Sequence, residues 1–481
     1  MYLNKTTFSQ MLGAEDYKIS DNVKQEIDPK TGKTYLVIPI KPRKEEDNLC
    51  PYCRRKCEIH DYLPYARKWR TRDLGCMKVY LEYVPKRVIC KHCLNEAGNP
   101  KVSVQYLSWA QRYDRATKSF NESVMLEACK SSVQFSAKSH RVCWRTVQNT
   151  CNRGLKRKDA EREKEGKGRF DNLETIVMDE TSKGKHCKGT DDKDSDKPSK
   201  YMTIMSNPDT KEVLGVIDGY GAKKAQKLLS KIRANRLKKV KLIAGDGARW
   251  IDSSIQNTEP LNVKRCLDSF HATSWTSDQL KIEKNKTVKK VSNEIRQLEA
   301  KGALTEEEKE ELNKKQGFHK ILLNKNTQNA LFKKQENLTD KQKSILEKIK
   351  EEAPDLYDLY IHKEEFRKAL TDKSRDPIKR SSTLANVLQE FIMDLETSYD
   401  EDWNKFGEKL KRHFDNIMNT SMYRKTSAMA EAINSKAKNL IRRACGFRNI
   451  KNFTTRLMLT CSQLGVKLFG REDEVFYFSR S

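Results

Sequence analysis

Apolar and polar residues alternate strictly from Met77 to Tyr83, with Met77, Val79, Leu81 and Tyr83 set against Lys78, Tyr80 and Glu82. A period of two is that of a half-buried strand, and residues 34–40 form another predicted strand. After Tyr106 the pattern becomes helical, predicting helices over 117–130, 133–139 and 144–153, followed by a charged linker at 154–170. Short apolar runs then return at 174–179, 201–206, 213–218, 240–244 and 264–267, with a helix expected over 223–235. Asn207, Pro208, Asp209 and Thr210 make a strong turn signal after the second of these strands. Three strands joined by hairpins, then helix, strand, helix and strand, is the order of an RNase H-like α/β domain. Residues 273–420 read as a charged helical insertion. Thr305 with Glu308 and Thr339 with Gln342 fit capping boxes there, and Pro354 and Pro377 mark breaks.

The last clear periodicity, at 426–447, is a two-faced helix. Ile433, Ala437, Leu440, Ile441 and Ala444 share one face, and Glu431, Asn434, Ser435, Lys438 and Arg442 the other. No acidic residue occurs between Ala432 and Arg471, so Glu431 is a lone carboxylate ahead of positive charge. On the helix alone it is an ordinary surface residue. Its meaning comes from upstream.

Composition narrows the partner. The chain has 481 residues, room for two or three domains, and a net charge of +28. That balance favours a polyanion, nucleic acid first, over simple solubility or attraction to a membrane surface. The N-terminal residues lack the apolar core of a signal peptide, and no apolar run approaches the ~20 residues of a membrane span. Thirteen cysteines, an odd number in a long chain, do not suit a disulfide framework. The expectation is a soluble cytoplasmic protein with reduced thiols.

Three constellations carry chemistry. Cys50 and Cys53, then Cys90 and Cys93, are two C-x-x-C knuckles that place four thiolates for a tetrahedral Zn²⁺. Strands between the knuckles suit a zinc-ribbon-like module, although the interval is long, and Cys57, Cys76, His60 and His92 are possible decoys. The three helices at 117–153 are the ingredients of a helix-turn-helix. Arg145, Gln148, Asn149 and Asn152 of its last helix are candidates for base edges or phosphates, but the turn at 140–143 lacks the usual glycine. Finally, Asp179 ends the first strand of the α/β domain and Asp246 ends the fourth, expected beside it. Glu431 on a helix across that sheet edge would complete a triad able to hold two divalent cations for attack on a phosphodiester. Gly245 and Gly247 are expected to let backbone approach the metals or DNA closely.

The sequence resembles the ISL3 family of bacterial insertion-sequence transposases. The likeness covers nearly the whole chain: MLGAEDYKI at 11–19, both knuckles, WRTV at 144–147, MDE at 178–180, GDGARWI at 245–251, LDSFH at 267–271 and EAINSKAKNLIRRACGFRN at 431–449. It implies DDE chemistry with Mg²⁺ (or Mn²⁺) on Asp179, Asp246 and Glu431, in an enzyme that binds terminal inverted repeats, cleaves the element's ends and transfers the 3′-OH strand to target DNA. Asp268 and His271 match a D-x-x-H element with a supporting role, which Asn434 would share. Lys438, Arg442 and Arg443 would neutralise phosphates. A homodimer or higher synaptic complex follows from joining two ends, and a bacterial, nucleoid-associated location from the substrate. The lysine- and aspartate-rich stretch 183–200 and Cys445, where the family usually has an aromatic residue, depart from the pattern.

The predicted architecture is therefore multidomain α/β. It comprises a zinc module at 1–105, a helix-turn-helix at 106–155, an RNase H-like catalytic domain in two parts at 170–272 and 421–481, and the insertion at 273–420. A sequence-specific DNA-binding protein with an inactive or repurposed domain competes with this reading, but leaves the three acids unexplained. A nuclease of the same fold would cut without joining.

Overall fold

The computed structural model describes residues 17–20, 23–184, 189–259, 262–302, 304–424, 428–447, 449–468 and 471–478. Residues 11–16, 185–188, Thr426, Ser427 and Arg448, which belong to stretches singled out above, lie outside the described residues. The chain is mixed α/β and forms two compact units, one of residues 1–171 with 436–481 and the other of residues 172–435.

In the first unit β1 (Tyr17–Ile19), β2 (Lys24–Ile27) and β3 (Thr34–Pro42) are followed by β4 (Glu58–Tyr62), β5 (Arg67–Leu74), β6 (Met77–Tyr83), β7 (Lys86–Leu94) and β8 (Pro100–Val104). They make a five-stranded sheet, in which β1 and β2 pair with β3 and the order continues β3-β6-β5, and a three-stranded sheet β4-β7-β8. The alternation at 77–83 does what its period requires. Val79 and Leu81 are buried with Leu36, Ile38, Trp69 and Trp109, while Lys78 and Tyr80 point the other way.

Three helices follow, Lys118–Lys130, Val133–Ser139 and Trp144–Lys164. Thr117 and Ser132 cap the first two, accepting from Phe120 N at 3.2 Å and Phe135 N at 3.0 Å. The turn without glycine is made by Arg141 itself at φ 53°. Its side chain compensates, donating to the Cys76 carbonyl at 2.6 Å and pairing with Asp73 at 2.5 Å. The third helix runs on to Lys164 through the expected linker. Gly154 does not break it because the helix crosses its neighbour there, and a Cβ at 154 would collide with the Met125 sulfur. The charges beyond are partnered: Lys158 with Glu122 at 3.4 Å and Asp159 with Arg169 at 2.8 Å. The helix Ile450–Thr460 and the hairpin Gly465–Leu468 with Arg471–Tyr477 belong to this unit, and Leu459, Leu464, Val466 and Phe478 share a core with Phe120, Val124, Met125 and Val147.

The second unit is built on one five-stranded sheet, ordered β11-β10-β9-β12-β13. Its strands are β9 (Thr175–Ser182), β10 (Tyr201–Asn207), β11 (Glu212–Asp218), β12 (Leu242–Gly245) and β13 (Lys264–Leu267). The first three are antiparallel, and β12 runs parallel to both β9 and β13, with Ala244 opposite Val177 and Gly245 opposite Leu267. The helix Ala222–Leu229 precedes β12 and the helix Arg249–Gln256 follows it. Between Ser269 and Tyr423 lie eight α-helices among the described residues, with a core of their own that includes Leu280, Leu331, Leu359, Phe366 and Phe391. Both expected capping boxes form, and Pro354 and Pro377 open helices rather than merely interrupting them. The last helix of the set, Phe414–Tyr423, returns to the sheet, where Asn419 donates to the Arg265 carbonyl at 3.0 Å and Thr420 to that of Leu267. Among the described residues no helix is long and apolar enough to cross a membrane.

Candidate active site and metal centre

β12 ends at Gly245 beside the middle of β9, and the acids gather there, Asp246 just past β12 and Asp179 and Glu180 within β9. β9 does not end at Asp179 as expected but runs on to Ser182, because β10 continues to pair with it. Thr175 to Met178 are buried, and Asp179 and Glu180 follow, half-buried. The Asp179 carboxyl is pushed up to about 6, first by burial and then by the charge of Asp246. The Asn434 hydrogen bond, the Glu180 N–H and the charge of His271 hold it back. Glu180 rises to about 7 for the same two reasons, burial and then Asp246, with Asp179 adding to them and Lys193 opposing. Asp246 thus acts on two carboxyls of the neighbouring strand. Glu180 was not among the acids anticipated. Its signal is its adjacency to Asp179, the acid that the sequence singles out.

Asp246 follows Gly245 at the end of β12, and its Oδ1 accepts from the Ala248 N–H at 3.0 Å, an Asx turn that leads into the next helix. The two flanking glycines are required by protein neighbours. A Cβ at Gly245 would lie 2.6 Å from the Met178 carbonyl oxygen, and one at Gly247 would collide with the Trp275 ring. Trp275 belongs to the first insertion helix, Ser269–Glu299, and is backed by the Lys409 ammonium 3.9 Å from its ring centroid and by His413. Gly247→Ala is expected to displace Trp275, costing about 1–3 kcal/mol of stability and shifting tryptophan fluorescence. A thermal melt and an emission spectrum check it.

Asp268 caps that same helix, accepting from the Phe270 N–H at 3.2 Å, and its own N–H reaches the Gly245 carbonyl at 2.9 Å. His271 Nε2 stands 3.9 Å from its carboxylate. The pair therefore ties the start of the insertion to the strand that bears Asp246.

Glu431 lies in the first turn of the helix Ala428–Arg443 and is exposed, between buried Ala430 and Ile433. Ala430 packs with Val177, Leu242, Ala244 and Cys266 of the sheet. One turn on, Asn434 Nδ2 donates to Asp179 Oδ2 at 2.5 Å, and its Oδ1 is buried without a hydrogen-bond partner among the described residues. The structure thus ties Asn434 to Asp179 and sets Asp246 close enough to act on Asp179, while Glu431 stands one turn before Asn434 on the same helix, exposed. Among the described residues these carboxylates do not reach the mutual 4.8 Å at which the four cysteines meet.

Those cysteines, Cys50, Cys53, Cys90 and Cys93, have all four sulfurs within 4.8 Å of one another. The first knuckle is a tight turn closed by Cys50 N to the Arg55 carbonyl at 2.9 Å, and the second pair sits on β7. The Cys50–Cys93 and Cys53–Cys90 sulfur separations are 3.9 and 3.6 Å. Four thiolates at ~2.3 Å around a tetrahedral Zn²⁺ stand ~3.8 Å apart, so the donor set fits zinc. Burial opposes ionisation of Cys90, but the His92 N–H, the Cys53 thiol and the Cys93 N–H bring it down to about 6. Burial and the neighbouring thiols push Cys93 up to about 12. Cys57 is also held near 12 by burial and by Cys90, while the His92 ring is engaged by Arg55 at 2.8 Å.

Of the candidate base readers, Arg145 and Asn149 are exposed. Gln148 is buried and donates to Asn152 at 3.2 Å, and Asn152 also accepts from Thr455 at 2.7 Å. Lys438, Arg442 and Arg443 are exposed, and Arg443 donates to the Lys130 carbonyl at 2.9 Å.

Acids thus gather where β12 ends beside β9, next to an inserted helical domain. The DDE family of ISL3 transposases matches residues 189–457, more than half of the chain. The chain belongs to the ISL3 transposase family. Over 470 residues it is 24% identical to the transposase for insertion sequence element IS1557 of Mycobacterium tuberculosis, covering 98% of each chain. It is 21% identical over 458 residues to the transposase for insertion sequence element IS1001 of Bordetella parapertussis, covering 95% of this chain and 98% of that one. The protein is an insertion-sequence DNA transposase, and its family implies a DNA substrate and divalent metal.

Proposed function

We propose that this transposase binds the terminal inverted repeats of its element, cuts the ends and joins the freed 3′-OH strand to target DNA, using Asp179, Asp246 and Glu431 on an RNase H-like sheet. The observation that carries this is the pair Asp179 and Asp246 on the parallel neighbours β9 and β12, near enough that the charge of one raises the proton affinity of the other. A buried carboxyl whose ionisation a neighbouring carboxylate opposes, with the unpartnered Asn434 Oδ1 beside it, forms an oxygen-rich site of the kind hard divalent cations take. Asp179, Asp246 and Glu431 would hold Mg²⁺ or Mn²⁺. When bound, such ions lower the cost of the charge that develops on the phosphoryl and leaving oxygens.

The chain's own residues do the rest. Asn434 orients Asp179 and carries the Glu431 helix to the sheet edge. The Asx turn at Ala248 aims the Asp246 carboxylate. Asp268 caps the helix that opens the insertion, whose Trp275 closes over Gly247. The Zn²⁺ module of Cys50, Cys53, Cys90 and Cys93 and the helix-turn-helix at 106–155 bind the ends. Arg145 and Asn149 are presented to DNA, while Gln148 and Asn152 shape the helix that presents them. Lys438, Arg442 and Arg443 meet phosphates, so binding weakens steeply with salt. The catalytic domain comprises 170–272 and, of the expected 421–481, the stretch through Ser435, because 436–481 belong to the first unit, and it is interrupted by the insertion at 273–420. A homodimer or larger synapse holds two ends.

The test is a strand-joining assay with an oligonucleotide end already cut to a 3′-OH, a plasmid target and Mn²⁺. Joined product is expected from the pre-cut end. Cut ends with no joined product would show a nuclease instead, and end binding with neither product a DNA-binding protein.

A further inference from the structure

Arg265 is an arginine in the middle of a buried parallel strand, 8% exposed. A guanidinium is seldom left there unless its donors are matched. Its contacts converge on one place, the end of β12. Nη1 donates to the carbonyls of Ile243 at 3.4 Å, Gly245 at 3.5 Å and its neighbour Cys266, and Nη2 donates to the carbonyl of Asp246. Nε is held by Asp252 Oδ1 at 3.2 Å, on the helix that follows Asp246.

The regular ladder ends at Gly245, opposite Leu267. Beyond it the Asp246 carbonyl would have no strand partner to fix the peptide plane, and that plane sets where the Asp246 side chain leaves the backbone. We propose that Arg265 is a positioning residue for Asp246. Its planar fork locks the Asp246 peptide from the side of β13 while the Ala248 Asx turn fixes the carboxylate itself. Lysine keeps the charge but has no fork to serve several carbonyls at once. The inference rests on the reading of Asp246 as a ligand of the catalytic metal.

The experiment compares full-length wild type, Arg265→Lys, Asp252→Asn and Asp246→Asn on end DNA. Free Mn²⁺ is titrated by electron paramagnetic resonance, alongside the Mn²⁺ dependence of strand joining and a thermal melt. Residues behind metal ligands typically control affinity by about 10–100-fold. Arg265→Lys is expected to weaken Mn²⁺ binding and raise the half-saturating Mn²⁺ for joining by about tenfold or more, with end binding unchanged. Asp252→Asn should shift both the same way by a smaller factor. A folded Arg265→Lys with wild-type Mn²⁺ affinity and only a lower melting temperature would overturn the proposal and leave Arg265 a fold anchor. If that variant does not fold, Asp252→Asn decides, and unchanged Mn²⁺ affinity there overturns it equally. Loss of Mn²⁺ binding in Asp246→Asn but not in the other two sinks this inference alone, whereas wild-type binding in Asp246→Asn sinks the triad.

Discussion

Asp179→Asn is expected to abolish end cleavage and strand joining, by at least about 10³-fold, while making the protein more stable in chelator at pH 8. The first effect follows from removing a ligand whose metal supplies several kcal/mol to the transition state. The second follows from the environment of the carboxyl. Its folded value of about 6 lies above the ordinary aspartate value of 3.8 because burial and Asp246 oppose its charge. The stability it allows is therefore fully present below about pH 4 and is lost as pH rises through 6. Asparagine carries no charge, so the variant should gain roughly 1–3 kcal/mol at pH 8, part of the full shift being offset by desolvation of the amide. The gain should vanish near pH 4. Glu431→Gln is expected to be equally inactive with an unchanged melting temperature, because Glu431 is exposed. Asp246→Asn should be inactive as well, and all three should still bind end DNA specifically. Melts between pH 4 and 8, a cleavage assay and a binding titration check the set. Full cleavage by any one of the three removes the triad.

The contrast between Asp179 and Glu431 also marks what could be read from residues alone. Strands are legible at 77–83, 174–179 and 240–244 because local period and turn chemistry agree there with the tertiary arrangement, although β9 continues to Ser182 and β12 spans Leu242–Gly245. The sequence predicts the helix over 144–153 with a charged linker beyond, whereas it runs to Lys164, and Gly154 marks a close crossing at Met125, a tertiary fact. Gly245 and Gly247 were recognised as sites of close approach, but not what approaches them, since Met178 and Trp275 arrive from other elements. Gln148 and Asn152 have the chemistry of base readers, yet Thr455, some three hundred residues on, occupies one of them. Arg265 gave no periodic signal at all. Its meaning lies in five contacts to backbone and to Asp252, none of which leaves a pattern in the letters. Acids beside a sheet are visible in sequence, but what orients them is mostly not.

The second large effect concerns the thiols. Cys90→Ser is expected to strip zinc from the protein, reduce end-DNA binding by about 10–100-fold and abolish the cooperative melt of the N-terminal strands. Cys90 is buried, its sulfur lies 3.6 Å from that of Cys53, and it is the cysteine most inclined to be a thiolate. The strands β4, β7 and β8 form a small sheet with little apolar interior beside the knuckles: Tyr62, Tyr65 and Leu94 are exposed. A structural zinc contributes on the order of 10 kcal/mol to domains of this kind, more than such a core supplies. Cys57→Ser is the control. Cys57 stands beside the cluster but its sulfur is turned to the Arg55 carbonyl at 3.4 Å, so that variant should keep one zinc per chain and wild-type binding. Zinc content by metal analysis separates the cases: none in the wild-type protein would end the assignment, and loss from Cys57→Ser as well would move the fourth ligand from the knuckles to Cys57.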